Sequence, residues 1–181
     1  PRAARRKARM GGQLKTCALV GYTNTGKSSL FNRLTKADVL AKDQLFATLD
    51  TTARRLYLSP ECSVILTDTV GFVRDLPHGL VAAFSATLEE TALADVLLHV
   101  VDAAHPEFER QIDDVNEVLQ EIGAGEVPQL VVYNKIDLLP AHTREAGILR
   151  NAQGAPIAVN ISVKEGWGLD ALRQAMEEAA L

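Results

Sequence analysis

The loop Gly21–Ser28, with the sequence GYTNTGKS, could bind a nucleoside triphosphate. It matches the pattern G-x-x-x-x-G-K-[ST], and it lies between a predicted strand and a predicted helix. In such a loop the backbone N–H groups surround phosphates at a helix N-terminus, where the helix dipole favours anions. Lys27 would reach the β- and γ-phosphates, and the Ser28 hydroxyl would ligate Mg²⁺. A chance glycine loop is the alternative, and the flanking elements argue against it.

A second motif, DTVG at residues 68–71, follows a predicted strand 40 residues after Ser28. The Asp68 carboxylate would hold the Mg²⁺ shell, directly or through water, and the Gly71 N–H would contact the γ-phosphate. DxxG alone is weak evidence, but this spacing from the phosphate loop makes it specific. Many nucleotide switches have a water-orienting glutamine at the next position. Here it is Phe72, which has no hydrogen-bonding group and is predicted to pack the loop onto the body.

Two further motifs predict a pocket for guanine. In NKID, Asn134–Asp137, the Asp137 carboxylate can accept hydrogen bonds from N1–H and the 2-amino group of guanine, which adenine lacks. Leaving a buried carboxylate unpaired is costly, so discrimination of roughly 10⁴ is expected. The Lys135 stem can lie along the base, and Asn134 can brace the loops. In SVK, Ser162–Lys164, backbone N–H groups could contact guanine O6.

The segment FATLDTT, Phe46–Thr52, is interpreted as a switch loop. Such a loop needs one threonine that ligates Mg²⁺ and contacts the γ-phosphate. Three threonines compete for this role, Thr48, Thr51 and Thr52. We favour Thr48, because it lies 20 residues before Asp68 and so leaves room for a whole strand and turn.

The elements that must position these motifs alternate along the chain. Strands are predicted at Lys15–Val20, Arg54–Leu58, Val64–Thr67, Asp95–Val101, Leu130–Tyr133 and Ile157–Asn160. Helices are predicted at Lys27–Leu34, Leu80–Thr91, Pro106–Ile122, Thr143–Arg150 and Leu169–Ala180. This order predicts an α/β fold, and together with the five motifs it predicts a Ras-like P-loop GTPase G domain. Its sheet would be six-stranded and mostly parallel with helices on both faces, and its second and third strands would pair antiparallel.

Composition and charge define the domain organisation. The 181 residues, 47% hydrophobic and 23% charged, suffice for one domain with a substantial core, and no apolar run is long enough to span a membrane. Residues 1–15 contain six basic residues and no acid, whereas the rest contains 13 basic and 23 acidic residues. We therefore expect a basic linker at 1–13 and a GTP-binding domain at 14–181. Because the first residue is Pro1, the chain is expected to be a fragment. Cys17 and Cys62 are expected to be buried reduced thiols, and the histidines show no zinc pattern.

The motifs together resemble one family. The stretches GYTNTGKSSLFNRLT, DQLFATLDTTARRL, DTVGFVRDLPHGLVAAFSATLEE, LLHVVDAAHP and VYNKIDLL are similar to the HflX family of bacterial GTPases, over residues 15–181. The resemblance implies a monomeric, cytoplasmic G domain that binds GTP and GDP with Mg²⁺. It also implies association with the large ribosomal subunit and its rRNA, in the rescue of stalled ribosomes by splitting. Thr51, where the family has proline, and Val163, where it has alanine, are mild departures.

The resemblance also bears on residues 1–13 and on the attacking water. Residues 1–13 resemble the end of a helical segment that follows a separate N-terminal domain, and splitting itself is not expected of this fragment. For the water there are two alternatives to the missing glutamine, a group supplied by a partner or a potassium ion near the phosphates. Asn24 matches the asparagine that binds potassium in some related GTPases, or it only braces the loop. Hydrolysis is therefore expected to be slow alone; Ras alone reaches about 10⁻⁴ s⁻¹, and supplied groups add roughly 10³–10⁵.

The predicted site follows from these motifs. The residues predicted to take part in catalysis are Lys27, Thr48, Gly71 and Asn24. The residues predicted to contact the nucleotide are Gly21, Tyr22, Thr23, Asn24, Thr25, Gly26, Lys27, Ser28, Ser29, Phe46, Ala47, Thr48, Leu49, Asp50, Asp68, Thr69, Val70, Gly71, Asn134, Lys135, Ile136, Asp137, Ser162, Val163 and Lys164. The residues predicted to ligate the metal are Ser28, Thr48 and Asp68. Two other functions compete: a P-loop ATPase or small-molecule kinase, and a nucleotide-gated binding module without turnover.

Overall fold

The computed structural model describes residues 14–41, 53–69 and 91–180, which form a seven-stranded sheet with helices on both faces. The strands are β1 (Lys15–Val20), β2 (Ala53–Ser59), β3 (Cys62–Asp68), β4 (Val96–Asp102), β5 (Gln129–Asn134), β6 (Gly147–Arg150) and β7 (Pro156–Asn160). The helices are α1 (Lys27–Ala41), α2 (Phe108–Glu121) and α3 (Leu169–Ala180), with 3₁₀ turns at Ile136–Leu138 and Ala141–Thr143. The basic segment 1–13, the switch loop 46–52 and most of the helix predicted at 80–91 lie outside the described residues.

The strand order is β2-β3-β1-β4-β5-β7-β6. The five central strands are parallel to one another, and the edge strands β2 and β6 are antiparallel to their neighbours. The predicted mostly parallel sheet and the antiparallel pairing of β2 with β3 are therefore confirmed. Because parallel strands have their carboxyl ends at one edge, the phosphate loop, the end of β3 at Asp68, and the loops that carry NKID and SVK meet there.

Two layers of apolar side chains cover the faces of the sheet. On one face α1 and α3 pack Leu30, Leu34, Leu172 and Met176 into the larger core. On the other face α2 packs Val115 and Leu119 into a second core with Ala18 and Val20 of β1 and Leu97 of β4. The helices therefore lie on both faces, as predicted. Because both faces are covered, β4 is apolar along nearly its whole length.

Two buried groups in the central strands are uncharged at neutral pH. His99 in β4 is 1% exposed, and burial lowers its pKa to about 4 although a hydrogen bond to Gln129 opposes the shift. Burial likewise raises the pKa of the Cys17 thiol to about 12, so Cys17 is an unreactive core residue. Cys62 is a free thiol as well, but only partly buried, so the expectation of burial is wrong there.

The helix predicted at Thr143–Arg150 is wrong. Only residues 141–143 form a 3₁₀ turn, and Gly147–Arg150 form the edge strand β6, which pairs antiparallel with β7. Gly147 has a positive φ of 136°, which favours glycine and is incompatible with a helix interior. The sheet consequently has seven strands and not the predicted six.

Two helices differ from prediction in length. Helix α1 continues past Leu34 to Ala41, and within it the Thr35 hydroxyl donates to the carbonyl of Phe31 at 2.7 Å. Helix α2 begins at Phe108 and not at Pro106. Among the helices of the described ranges, none is long and apolar enough to cross a bilayer.

Candidate functional site

The phosphate loop lies between β1 and α1, and two glycines allow its backbone to bend. Gly21 and Gly26 have positive φ angles of 154° and 92°. A Cβ atom at Gly21 would collide with the carbonyl oxygen of Val100, and one at Gly26 would collide with the side-chain nitrogen of Asn134. Both positions therefore exclude a side chain. The loop leads directly into α1, whose first turn contains no acid that would compete with an anion.

Lys27 is the cationic group of this loop, and Asp68 is its charge partner. Lys27 Nζ lies 2.5 Å from Asp68 Oδ1 and also donates to the carbonyl oxygen of Thr69. The Lys27 side chain is 6% exposed, and that of Asp68 is 20% exposed. An ammonium this deeply buried needs a partner. The Lys27 ammonium is thus held beside the end of β3, where phosphates would have to take over its hydrogen bonds.

The donor set between α1 and β3 suits a magnesium ion. Ser28 Oγ donates to Asp68 Oδ2 at 3.1 Å, so a hydroxyl and a carboxylate oxygen face one another. Mg²⁺ prefers oxygen ligands and is usually bound through one or two protein groups together with substrate phosphates and water. Within the described ranges, no group of three or more His, Cys, Asp and Glu side chains could hold a metal alone. The third predicted ligand, Thr48, lies outside those ranges.

Asn134, at the end of β5, joins three loops. Its side-chain nitrogen donates to the carbonyl of Thr25 at 2.9 Å, and its side-chain oxygen accepts the N–H of Val163 at 3.0 Å. Asn134 is 3% exposed. This is the bracing role that the sequence assigned to it. The Val163 N–H is occupied in this way, and the contact of the SVK backbone with guanine O6 stays a prediction.

The base end of the site is ordered around Asp137. Ser162 Oγ donates to Asp137 Oδ1 at 2.7 Å and accepts the N–H of Glu165 at 3.1 Å. These bonds fix the orientation of the carboxylate without using its second oxygen, Oδ2. Lys135 Nζ donates to the carbonyl of Asn24 in the phosphate loop at 2.6 Å. NKID therefore contacts the phosphate loop through two consecutive side chains.

Two cavities line this edge of the sheet. One, of about 280 Å³, is bordered by the phosphate loop and the first residues of α1, including Asn24, Lys27 and Ser28. The other, of about 320 Å³, is bordered by NKID and SVK residues, including Asp137 and Lys164. They share Gly26 and Ser29 and therefore adjoin, and we call the two together the groove, with Lys27 bordering its phosphate end and Asp137 its base end.

Each of the remaining predicted residues borders a cavity, is held by local contacts, or lies outside the described ranges. Thr23 is exposed and lines the first cavity, whereas Thr25 is 2% exposed and its hydroxyl donates to the carbonyl of Tyr22 at 2.9 Å. Ile136 is 2% exposed and belongs to the core, and the Thr69 hydroxyl donates to the carbonyl of Leu19 at 2.6 Å. The predicted residues that lie outside the described ranges are Phe46, Ala47, Thr48, Leu49, Asp50, Val70 and Gly71.

Two supporting contacts were missed by the sequence reasoning. The hydroxyl of Tyr22, a residue that also borders the first cavity, donates to Asp114 Oδ2 of α2 at 2.6 Å. Arg33 of α1 donates to the carbonyl of Val163 at 3.2 Å and so holds the SVK loop. The residues in each pair are 92 and 130 positions apart, so no local pattern could have indicated them.

Comparison with known proteins matches this chain to GTPases. The family model described as 50S ribosome-binding GTPase matches residues 16–135. The chain is 51% identical to GTPase HflX of Escherichia coli strain K12 over 173 residues, 96% of this chain. It is 50% identical to GTPase HflX of Magnetococcus marinus over 178 residues, 98% of this chain. It spans 40% of the length of each of these relatives.

Solved structures support the fold. A GTP-binding protein from Sulfolobus solfataricus in complex with GDP has a TM-score of 0.70 and 30% identity, covering 92% of this chain and 52% of that one. The FeoB G-domain from Methanococcus jannaschii has a TM-score of 0.60 and 23% identity, covering 92% and 97%. The predicted fold class, a P-loop G domain, is confirmed.

Proposed function

The chain belongs to the HflX family of GTPases, and from this premise we propose that it binds and hydrolyses GTP at the groove described above while acting on the large ribosomal subunit. The observation that carries the proposal is the double contact of Asn134 with Thr25 and Val163. It makes the phosphate loop and the guanine-reading loops one site. A single nucleotide can then place its triphosphate at Lys27 and its base at Asp137.

Phosphate binding begins with an exchange of partners at Lys27. The ammonium leaves Asp68 and the Thr69 carbonyl for the β- and γ-phosphate oxygens, while the N–H groups at the start of α1 surround the phosphates. In the hydrolysis step Lys27 stabilises the negative charge that spreads over the γ-phosphate and leaving oxygens. The exchange keeps the buried ammonium paired in both states.

Magnesium binding follows from the same exchange. Once Lys27 has moved to the phosphates, the Asp68 carboxylate and the Ser28 hydroxyl remain as a pair of oxygen donors, to which Thr48 would be added. A bound Mg²⁺ would neutralise charge on the β- and γ-phosphates. We include Mg²⁺ as the cofactor on the strength of these donors.

Guanine is selected by the oriented carboxylate of Asp137. The Asp137 oxygen that is not bonded to Ser162 can accept from guanine N1–H and the 2-amino group. Adenine would leave the second oxygen of this carboxylate without a donor in a partly buried pocket, and this penalty underlies the selectivity. An ATPase or a small-molecule kinase is disfavoured for this reason.

The group that positions the attacking water is supplied from outside the domain. Phe72 offers no hydrogen bond, and Asn24 is exposed beside the phosphate cavity with its carbonyl held by Lys135. A potassium ion beside Asn24 and a group of the ribosome are the two proposed sources. Hydrolysis rates in potassium and sodium buffers separate the two, because a specific potassium site requires clearly faster hydrolysis in potassium alone.

The ribosomal part of the proposal rests on the family. The matching model is described as a 50S ribosome-binding GTPase, and the curated relatives are HflX GTPases. We extend this to the cytoplasmic rescue of stalled ribosomes by the whole protein, with this chain as a monomeric nucleotide-dependent part. A membrane plays no part in the proposal.

The decisive experiment is single-turnover phosphate release with and without large ribosomal subunits. We expect slow release from the chain alone and an increase of about 10³-fold or more with subunits, the range that supplied catalytic groups provide. Release that is equally slow in both cases would leave a binding module without regulated turnover. Lys27→Ala serves as the control for contaminating GTPase activity.

The basic segment is proposed to contact rRNA. Residues 2–9 contain five basic residues beside a domain in which acids outnumber bases, and a bare acidic domain would be repelled by RNA. Each bond to an RNA phosphate that is removed should reduce the salt dependence of binding by about one unit of log–log slope. Binding to large subunits across a salt series would compare the chain with a version that starts at Gly11. Equal affinities and slopes would make the segment a linker only.

A further inference from the structure

Two residues of the groove share an uncommon backbone conformation. Asn24 and Lys135 have φ angles of 66° and 69°, and within the described ranges they are the only non-glycine residues with positive φ. They are also bonded to each other, because Lys135 Nζ donates to the Asn24 carbonyl at 2.6 Å. Such conformations persist where the surroundings hold them, and they concentrate at functional sites. The conformation of Asn24 therefore depends on the groups that hold the Lys135 ammonium.

Asp102 contacts this ammonium from the neighbouring strand. It is the last residue of β4 and lies opposite Asn134 in the register of β4 with β5. Its Oδ1 accepts the N–H of Ala104 at 2.9 Å, which fixes the orientation of the carboxylate. Its Oδ2 lies 3.3 Å from Lys135 Nζ. The Asp102 side chain is only 16% exposed, so water screens this pair less than a surface ion pair.

We propose that Asp102 is a positioning residue for nucleotide binding, acting through Lys135 on the phosphate loop. The carboxylate attracts the ammonium to the end of β4, where it can reach the carbonyl of Asn24. Asn24 is thereby held in its left-handed conformation, and the phosphate loop keeps the shape that receives the nucleotide. This inference rests on the proposed function, because it concerns the same groove.

A purely structural role for Asp102 is the alternative. The bond to Ala104 could by itself close the turn after β4, with Lys135 nearby but not dependent on it. Asp102→Asn separates the two roles, because the amide oxygen can still accept from Ala104 while the amide nitrogen cannot accept from Lys135. Asp102→Glu is the second variant, since it keeps a negative charge within reach of the ammonium. Asp113→Asn, an exposed acid on α2, controls for the change of net charge.

The first measurement needs no nucleotide. The rate at which Lys135 is acetylated by an amine-reactive reagent is followed by mass spectrometry in the wild-type chain and the three variants. Asp102→Asn should accelerate labelling of Lys135 by about threefold, the effect of losing a partly exposed ion pair, and Asp102→Glu and Asp113→Asn should not. Unchanged labelling in Asp102→Asn would overturn the proposal. This readout stays valid even if the chain fails to bind GTP, a result that would overturn only the proposed function.

The second measurement is a double-mutant cycle on GDP affinity. Asp102→Asn should weaken GDP binding by about fivefold in the wild-type background, a fold-change expected for a charge-assisted contact. It should have almost no effect in a Lys135→Met background, because the residue through which it acts is absent. The same loss in both backgrounds would mean that Asp102 acts independently of Lys135. Melting temperatures identify a variant that fails to fold, and Asp102→Glu then decides: retained affinity supports the proposal, and a loss equal to that of Asp102→Asn contradicts it.

Discussion

The base end and the phosphate end of the groove differ in what their polar groups already contact. At the base end, Asp137 is oriented by Ser162, and Asn134 is bonded to the loops on either side. These contacts can remain unchanged when guanine enters. At the phosphate end, Lys27 is paired with Asp68, a contact that the phosphates must replace. The base end is therefore preorganised, whereas the phosphate end must exchange partners.

The difference has a consequence for affinity. A preorganised pocket loses little conformational freedom on binding, so most of its interaction energy contributes to affinity and selectivity. At the phosphate end, the loss of the Lys27–Asp68 pair offsets part of the new phosphate contacts. Under the proposed function, Asp68 would become available to the metal only after phosphate has bound. Base recognition should accordingly be independent of Mg²⁺, and phosphate recognition should depend on it.

The largest effect is expected from Lys27→Ala at the phosphate end. The phosphates would lose a deeply buried cation, so GTP affinity should fall by on the order of 10³-fold, as when one partner of a buried charge pair is removed. Isothermal titration measures it. Lys36→Ala, an exposed lysine on the same helix, is the matched control. Unchanged GTP affinity in Lys27→Ala would remove Lys27 from this role.

Asp137→Asn should change selectivity at the base end. Ser162 can still donate to the remaining side-chain oxygen, which turns the amide N–H groups toward the base. Xanthine has a carbonyl where guanine has its amino group, so the ratio of XTP to GTP affinity should rise by on the order of 10²-fold or more. Competition against labelled GTP gives the ratio. A variant that still prefers GTP would contradict the guanine assignment, and Asp113→Asn should leave the ratio unaltered.

At both ends the sequence predicted where the residues lie, but it did not predict their contacts with one another. Gly21, Lys27, Asp68, Asn134 and Asp137 follow strands at spacings that place them at one edge of a parallel sheet. Local pattern and topology therefore sufficed for them. The contact of Lys27 with Asp68 joins residues 41 positions apart and depends on how two loops pack, which no spacing states.

The errors in the fold have a similar origin. Residues 143–150 contain Arg, Glu and Ala, which favour a helix, but pairing with β7 at the sheet edge made the last four of them a strand. Gly147 was the one local signal against the helix. Tertiary pairing thus overrode local propensity in a segment too short for a clear period.

Asp68→Asn should change GDP affinity at the phosphate end, because it removes the carboxylate that pairs with Lys27 in the free protein. Lys27 would lose its charge partner in the free protein, so phosphates would no longer compete with a carboxylate. GDP affinity without Mg²⁺ should increase by about tenfold, the size of a charge-assisted hydrogen bond. The additional tightening by Mg²⁺ should disappear, because a ligand is lost. Titrations with and without Mg²⁺ measure both, with Asp170→Asn as the control. Weaker GDP binding without Mg²⁺ would show that Asp68 does not compete for Lys27.

The smallest effect is expected from Tyr22→Phe, which loosens the phosphate loop from the opposite face of the sheet. The Tyr22 hydroxyl donates to Asp114 at 2.6 Å, and its ring lies in the core against α2. A hydrogen bond to a carboxylate contributes about 1–3 kcal/mol, so the melting temperature should fall measurably. GDP affinity should fall by only about threefold, since the loop keeps its contacts with Asn134 and Lys135.

Base selectivity in Tyr22→Phe tests whether the two ends of the groove are independent. The ratio of GDP to xanthosine diphosphate affinity should stay constant in Tyr22→Phe, because Asp137 and Ser162 are untouched. Tyr133→Phe is the matched control, since its ring packs edge-on against Phe108 of the same helix. Thermal melts and titrations of both variants give the result. A lower melting temperature with unchanged GDP affinity would mean that the bond to Asp114 stabilises the fold alone. A change in base selectivity would mean that the two ends are coupled through α2, and the division into a preorganised end and an exchanging end would have to be abandoned.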